Sequence, residues 1–238
     1  HILFILCESC WADKDNFQAV FKTLEPLNFN EVRAISPVFG GLTPNASFEI
    51  LTGLPSDSNS IQGVIFQDYA DLLKDEVLTI PQKLKQQGYK TIAMHNFHKR
   101  MWQREKVLKK FGFEKFVSLE DLDYQGDQMW PPDKILYEAA LEVIKENRNE
   151  PLFLYLITVS THGPYASTGS DDGEADYSEE LKVALQDLKQ FITELNQLSK
   201  DPFIFVFSDH KPALPEYFNK RGLMGDQEKK GDVPVLIR

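Results

Sequence analysis

The apolar positions of the chain fall into two patterns. Ile2 to Leu6, Leu152 to Thr158 and Phe203 to Phe207 are nearly unbroken apolar runs, as expected of strands covered on both faces. Lys90 to Met94, Arg33 to Val38 and the closing Val233-Pro234-Val235-Leu236-Ile237 read as further strands. Between them apolar residues recur at helical spacing: Phe17, Val20, Phe21 and Leu24; then Ile135, Leu136, Ala139, Ala140, Val143 and Ile144 behind Pro131-Pro132. The longest stripe is Leu181, Leu185, Leu188, Ile192, Leu195 and Leu198. Thr79 to Gln87 reads as a helix closed by Gly88. A helix also opens at Thr43, with Thr43 as N-cap, Pro44 at the first helical position and Gly53 at its end. The alternation predicts an α/β fold: a largely parallel central sheet with helices on both faces, a three-layer α/β/α sandwich. The acidic, Gly/Ser-rich segment 165–180 reads as a solvated loop, and no internal repeat is present.

With 238 residues and no linker, the chain reads as a single domain over 1–238. Its 26 Lys and Arg against 36 Asp and Glu give a net charge of -10, which excludes a general nucleic-acid binder because no phosphate-neutralising excess exists. No apolar run reaches the ~18 residues of a membrane span, and no secretory leader is present. Opening on HILFIL and closing on VPVLIR, both strand-like, the sequence is expected to be a piece of something longer. Cys7 and Cys10 form a lone pair in Cys-Glu-Ser-Cys, too few ligands for a zinc site and compatible with free or bridged thiols.

In open α/β sheets ligands gather beyond the carboxyl ends of the strands. Glu8 follows the first strand, His95 and His98 follow Lys90–Met94, His162 follows Leu152–Thr158, and Asp209 and His210 follow Phe203–Phe207. Glu8, Asp209 and His210 together offer the mixed O/N set that suits Mn²⁺, Mg²⁺ or Zn²⁺. Thr43, at a helix N-terminus, sits where N–H groups and the helix dipole favour an anion. A threonine hydroxyl needs a base or a metal to become a nucleophile, and the Glu8/Asp209/His210 set can supply one.

Five blocks occur in order: Leu6-Cys7-Glu8-Ser9; Gly41-Leu42-Thr43-Pro44 through Phe48-Glu49; HNFHKRMWQREKVLKKFGFEKF (95–116); Thr161-His162-Gly163-Pro164-Tyr165; and Ser208-Asp209-His210. This order resembles the extracellular domain of lipoteichoic acid synthase and related phosphoglycerol transferases, within the sulfatase/alkaline-phosphatase-like superfamily. The most specific block is 95–116, with His95, Trp102 and Arg104 at fixed offsets. The resemblance implies that Glu8, Thr43, Asp209 and His210 bind one divalent metal, Mn²⁺ foremost. It implies that Thr43 takes phosphoglycerol from a phosphatidylglycerol-type lipid donor and passes it to a glycan or polyol-phosphate acceptor. His95, Trp102, Arg104 and His162 would hold the head group, with His162 also a candidate acid. It further implies transmembrane helices upstream and a catalytic domain on the extracytoplasmic side of a bacterial membrane.

Leu42 and Ser208 stand where the family often has Lys and usually Gly, and Lys211-Pro212-Ala213-Leu214 replaces the residues common after Asp-His in the synthase. These departures, close to the expected acceptor path, make glucan-modifying transferases as fitting as lipoteichoic acid synthesis. The rivals are a phosphoethanolamine transferase, which Trp102-x-Arg104 disfavours, another phosphodiester or sulfate-ester hydrolase, and a non-catalytic ectodomain that binds anionic polymer or lipid head groups. An arylsulfatase is disfavoured because Thr43-Pro44-Asn45-Ala46-Ser47 lacks the C/S-x-P-x-R setting.

Overall fold

The computed structural model describes residues 1–57, 61–74, 78–166, 172–223 and 232–238. In chain order the elements are β1 (Ile2–Cys7), α1 (Gln18–Phe21), β2 (Asn30–Ile35), α2 (Thr43–Thr52), α3 (Ile65–Asp68), α4 (Ile80–Gln86), β3 (Lys90–His95), α5 (Arg104–Lys110), β4 (Lys115–Val117), α6 (Asp133–Glu146), β5 (Leu152–Ile157), α7 (Glu174–Leu198), β6 (Phe203–Ser208), α8 (Pro215–Lys220) and β7 (Asp232–Ile237). Among the described residues seven strands form one sheet in the order β2-β7-β6-β1-β5-β3-β4. The five from β6 to β4 are mutually parallel, and β7 runs antiparallel to both β6 and β2. The sheet is therefore mixed at one edge and parallel through its centre.

The unbroken apolar strands are covered on both faces, as their pattern requires. Leu3 and Ile5 of β1, with Leu152, Leu154 and Leu156 of β5, pack under α6 and α7. Leu6, with Phe153, Tyr155 and Ile157, packs under the layer of α2, α3 and α5. The alternation that a one-sided strand shows as apolar/polar appears here as two apolar sets facing opposite helical layers.

Four local expectations are corrected. The strand expected over Arg33–Val38 lies at Asn30–Ile35, an exposed edge held to β7 through backbone pairing, so apolar content could not set its limits. The helical stripe at Phe17–Leu24 is one α-turn that tightens into a 3₁₀ segment, Lys22–Leu27, with Pro26 inside it. The loop expected over 165–180 is already helical from Glu174: Glu174 and Asp176 sit favourably in the first turn, and Tyr177 and Leu181 are buried. Residues 167–171 of that segment lie outside the described residues. Finally, Thr43 is the first helical residue rather than the N-cap. Gly40, Gly41 and Leu42 approach α2 with positive φ, and Leu42 caps without a side-chain bond. Among the described residues, no helix is long and apolar enough to cross a membrane.

Candidate functional site

Parallel pairing in the centre of the sheet fixes the site. Cys7 is level with Ser208, and Leu6 is level with Phe207 and Ile157, so the next residues, Glu8 and Asp209, emerge side by side. His95, the last residue of β3, is level with Ile157. Cys7 and Cys10 form a disulfide that closes the turn carrying Glu8 and Ser9. The backbone of Glu8 is pinned to the β5 loop: its N–H donates to Thr158 Oγ1 at 2.9 Å, and its carbonyl accepts from Thr161 Oγ1.

Glu8, Asp209 and His210 are buried, and one ligand-capable atom from each lies within 4.8 Å of the others. Asp209 and His210 are each tied down by one atom, while both oxygens of Glu8 accept hydroxyl hydrogen bonds, Oε1 from Ser9 and Oε2 from Thr43. Asp209 Oδ1 accepts from Ser9 N at 2.9 Å and His210 N at 3.0 Å. His210 Nδ1 is 2.9 Å from the Lys211 carbonyl, which makes Nδ1 a donor and aims Nε2, a ligand atom once deprotonated, at the two carboxylates. Nε2 lies 3.3 Å from Glu8 Oε1 and 3.2 Å from Asp209 Oδ2, yet Nε2 and Asp209 Oδ2 are buried with no hydrogen-bond partner. Buried polar atoms are almost always paired. Two orphans converging with a second carboxylate form a donor set that fits one divalent cation of the Mn²⁺, Mg²⁺ or Zn²⁺ type.

The same proximity polarises the titration of the metal-free triad. Burial and the Glu8 charge push Asp209 up. Burial opposes the charge on Glu8, but His210 overrides it and holds Glu8 down at about 2. Burial also opposes the charge on His210, and the two carboxylates outweigh it, raising His210 to about 9.

Thr43 Oγ1 donates to Glu8 Oε2 at 3.1 Å. Because Thr43 is not the N-cap, its hydroxyl is not spent on the helix N–H groups. Ser208, in place of the expected glycine, turns its Oγ to the His210 carbonyl at 3.1 Å and leaves the cluster intact.

Of the four residues expected to hold a head group, Arg104, His95 and His162 lie within electrostatic reach of this cluster. Arg104, the first residue of α5, is buried and has no hydrogen-bond or ion-pair partner among the described residues. Burial lowers its pKa to about 10, opposed by the charges of Glu8 and Asp209. His95 Nδ1 is 2.8 Å from the Ile157 carbonyl, and its Nε2 is buried and unpartnered. Burial, then Arg104, hold His95 well below the usual histidine range, so it is neutral and Nε2 is an acceptor. His162 lines a cleft of about 320 Å³ with Glu8, Ser9 and His210, and its Nδ1 lies 2.6 Å from the Gly163 carbonyl. Trp102 has left-handed dihedrals (φ 55°, ψ 25°) and packs, half-buried, against the α2/α5 layer. It therefore belongs partly to the core. His98 is exposed and pairs with Glu120, away from the cluster. Lys211 is buried above the rings of Trp11 and Phe218, while Ala213 and Leu214 line the cleft.

Two residues that patterning did not single out complete the site. Trp130 lies against His162 with ring centroids 4.0 Å apart and the ring planes tilted by 34°. Asp133, fully buried at the start of α6, accepts from Asn96 Nδ2, Val159 N, Ser160 N and Ser160 Oγ at 2.6–3.1 Å. It thereby links the residue after His95 to the loop before His162. The run Trp130-Pro131-Pro132-Asp133 is a local signal for a fixed turn, but its partners lie far away in sequence.

Comparison with known proteins places this geometry. The sulfatase family model matches residues 1–238. The chain belongs to the sulfatase family. A putative cyclic beta-1,2-glucan modification protein of Rhizobium meliloti is 27% identical over 97% of the chain and 39% of its own length. The lipoteichoic acid synthase LtaP of Listeria monocytogenes superposes with a TM-score of 0.78 at 21% identity, covering 99% of this chain and 64% of that one. The Streptococcus pyogenes phosphoglycerol transferase GacH, solved with sn-glycerol-1-phosphate, gives 0.79 at 23%, covering 100% and 68%. At such identities the two structures establish the fold, which is the alkaline-phosphatase-like α/β architecture expected from the sequence. The chain spans 39% or less of the length of the first curated relatives it matches.

Proposed function

We propose that this sulfatase-family domain transfers a phosphoglycerol group from a phosphatidylglycerol-type lipid to an acceptor hydroxyl, through a covalent intermediate on Thr43. The observation that carries the reading is the Thr43 hydroxyl bonded to Glu8 beside the two orphaned ligand atoms of Asp209 and His210. A buried and unpartnered Arg104 adds a ready phosphate fork. Support for the donor comes from the likeness to a phosphoglycerol transferase solved with sn-glycerol-1-phosphate. Support for a glycan acceptor comes from the relative named for cyclic glucan modification. The setting that fits is the outer face of a bacterial membrane, with this domain as one part of a longer protein.

Glu8, Asp209, His210 and the Thr43 oxygen would hold the divalent ion. That ion, when bound, supplies Lewis acidity that lowers the hydroxyl pKa and offsets phosphate charge. The remaining steps belong to the chain. Thr43 Oγ1 loses its proton to solvent and forms a bond to phosphorus, while the bond from phosphorus to the lipid glycerol oxygen breaks. The departing oxygen takes a proton from His162, whose Nδ1 is engaged by Gly163 and whose Nε2 is the remaining polar atom in the cleft. In the second half the acceptor hydroxyl returns a proton to His162 and attacks phosphorus. Thr43 leaves and recovers its proton from solvent. Arg104 binds the phosphate oxygens throughout. Neutral His95, an acceptor at Nε2, fits a glycerol hydroxyl rather than an oxyanion, and Trp102 packs against the glycerol carbons. The test is Thr43→Ala, assayed for head-group release from a phosphatidylglycerol analogue with Mn²⁺. Loss of at least ~10³-fold is expected, and undiminished turnover refutes the nucleophile.

A further inference from the structure

Charge is distributed very unevenly along this acidic chain. Residues 83–115 carry 10 Lys or Arg against 2 Asp or Glu, so the other 205 residues carry 16 against 34. The fold turns that segment into one side of the molecule. Helices α4 and α5 pack in the same layer and together hold 6 basic residues and 1 acidic one. Helices α6 and α7, on the opposite face of the sheet, hold 4 basic and 10 acidic.

The basic side has a groove of about 770 Å³ lined by Lys85, Lys106, Lys109, Lys110 and Leu78. Lys85 pairs with Glu114 and Lys106 with Asp71, and these exposed pairs hold their lysines weakly. Lys110 Nζ donates to the Ala70 and Leu73 carbonyls. Lys83 and Lys109 make no ion pair among the described residues. In sequence, Lys99 and Arg100 lead directly into the turn that carries Trp102 and Arg104. Interleaved with these cations are exposed apolar side chains: Leu72 (72% exposed), Leu78 (59%) and Met101 (37%).

We propose that this α4/α5 side docks the domain on the surface of an anionic lipid bilayer. A hydrated polyanion would reward the lysines and leave the leucines in water. A membrane interface rewards both, because lysines meet the headgroup charge while apolar side chains enter the acyl boundary. The acidic α6/α7 layer is repelled by the same surface, so the charge asymmetry also sets orientation. The inference rests on the lipid-donor reading for its purpose, though not for its physics.

The test is co-sedimentation of the 238-residue chain with vesicles of phosphatidylcholine, with or without phosphatidylserine, an anionic lipid that carries no phosphoglycerol. Binding is expected only with phosphatidylserine and is expected to fall as salt rises. The triple variant Lys83→Glu/Lys85→Glu/Lys109→Glu is expected to bind at least about tenfold more weakly, with unchanged turnover of a water-soluble phosphoglycerol ester. Lys134→Glu/Lys145→Glu, in the opposite layer, is expected to bind normally. Leu72→Ser/Leu78→Ser is expected to weaken vesicle binding and leave binding of soluble polyphosphate unchanged. The proposal is overturned if phosphatidylserine vesicles are not bound, or if both lysine variants behave alike. It is equally overturned if the leucine variant binds vesicles normally while the triple variant loses polyphosphate, which would mark a polyanion groove. If the unaltered chain does not turn over the soluble ester, the catalytic reading fails and the vesicle result still decides the docking face.

Discussion

Replacing Arg104 with Met should make the protein more stable and blind to phosphate. The guanidinium is buried without a partner, and burial moves its pKa from 12.5 to about 10. The sign follows directly. At neutral pH the group is charged both folded and unfolded, so a lowered folded pKa is a penalty on the folded state, present at every pH below about 10. At ~1.4 kcal/mol per unit that penalty is roughly 3 kcal/mol. Methionine fills much of the same volume and orphans no acceptor, because none is bonded. Allowing for lost packing of the stem, a net gain of about 1–2 kcal/mol is expected. For a chain of this size that raises Tm by roughly 2–8 °C. Glycerol phosphate should reverse the ranking: at about 100 times its Kd it stabilises the unaltered protein by ~2.7 kcal/mol and the variant hardly at all. The assay is thermal unfolding of both proteins with and without glycerol phosphate. A variant that melts lower, yet shifts with phosphate as the parent does, refutes the argument and makes Arg104 a structural cation.

Two further outcomes are expected. Asp133→Ala strands the donors on Asn96, Val159 and Ser160 in the interior and should cost about 3 kcal/mol or more, seen in Tm; Asp133→Asn keeps the Oδ1 acceptor that joins the His95 and His162 loops and should leave Tm and KM close to those of the unaltered protein. Metal binding at pH 7 should release between one and two protons, since His210, raised to about 9, and Asp209, raised to about 7, both carry protons in the metal-free triad and must deprotonate to ligate. Affinity should therefore climb as pH rises from 6 towards 9, and calorimetry in buffers of different ionisation enthalpy reads the proton directly; a pH-independent affinity contradicts the triad as ligand set.

The parts of the site that could be read in the sequence are those fixed by strand ends. Glu8, His95, Asp209 and His210 each leave a parallel strand at or next to its carboxyl end, and parallel pairing with level registers brings consecutive positions together. Apolar runs carry that information because both faces of the sheet are covered. What could not be read depends on long loops. The hydroxyl of Thr43 reaches Glu8 only because three residues with positive φ rotate the start of α2, and nothing in Leu42 announces that conformation. Asp133 looks like an ordinary first-turn acid, and its role is set by Asn96 and Ser160, remote in sequence. The acidic run before α7 shows the converse: its charges favoured a loop, while Tyr177 at the sheet and the dipole at Glu174 made a helix.

How a domain of net charge -10 handles an anionic head group is a question of distance. Exposed charges are screened over about 8 Å in physiological salt, whereas helical layers on opposite faces of a sheet lie roughly twice the ~10 Å layer spacing apart. The acidic surface of α6 and of the later turns of α7 is therefore almost invisible at the cleft, whereas Asp172, just before α7, lines it. Buried Arg104 is screened far less, and it acts with α5 and the lysine strip on the same side of the sheet. Local placement decides what the site attracts, and the net charge governs only the faces turned away from it. Substitutions on α6 and on the last turns of α7 that shift net charge by several units should leave phosphate affinity within about twofold. Neutralising Arg104 alone should abolish it.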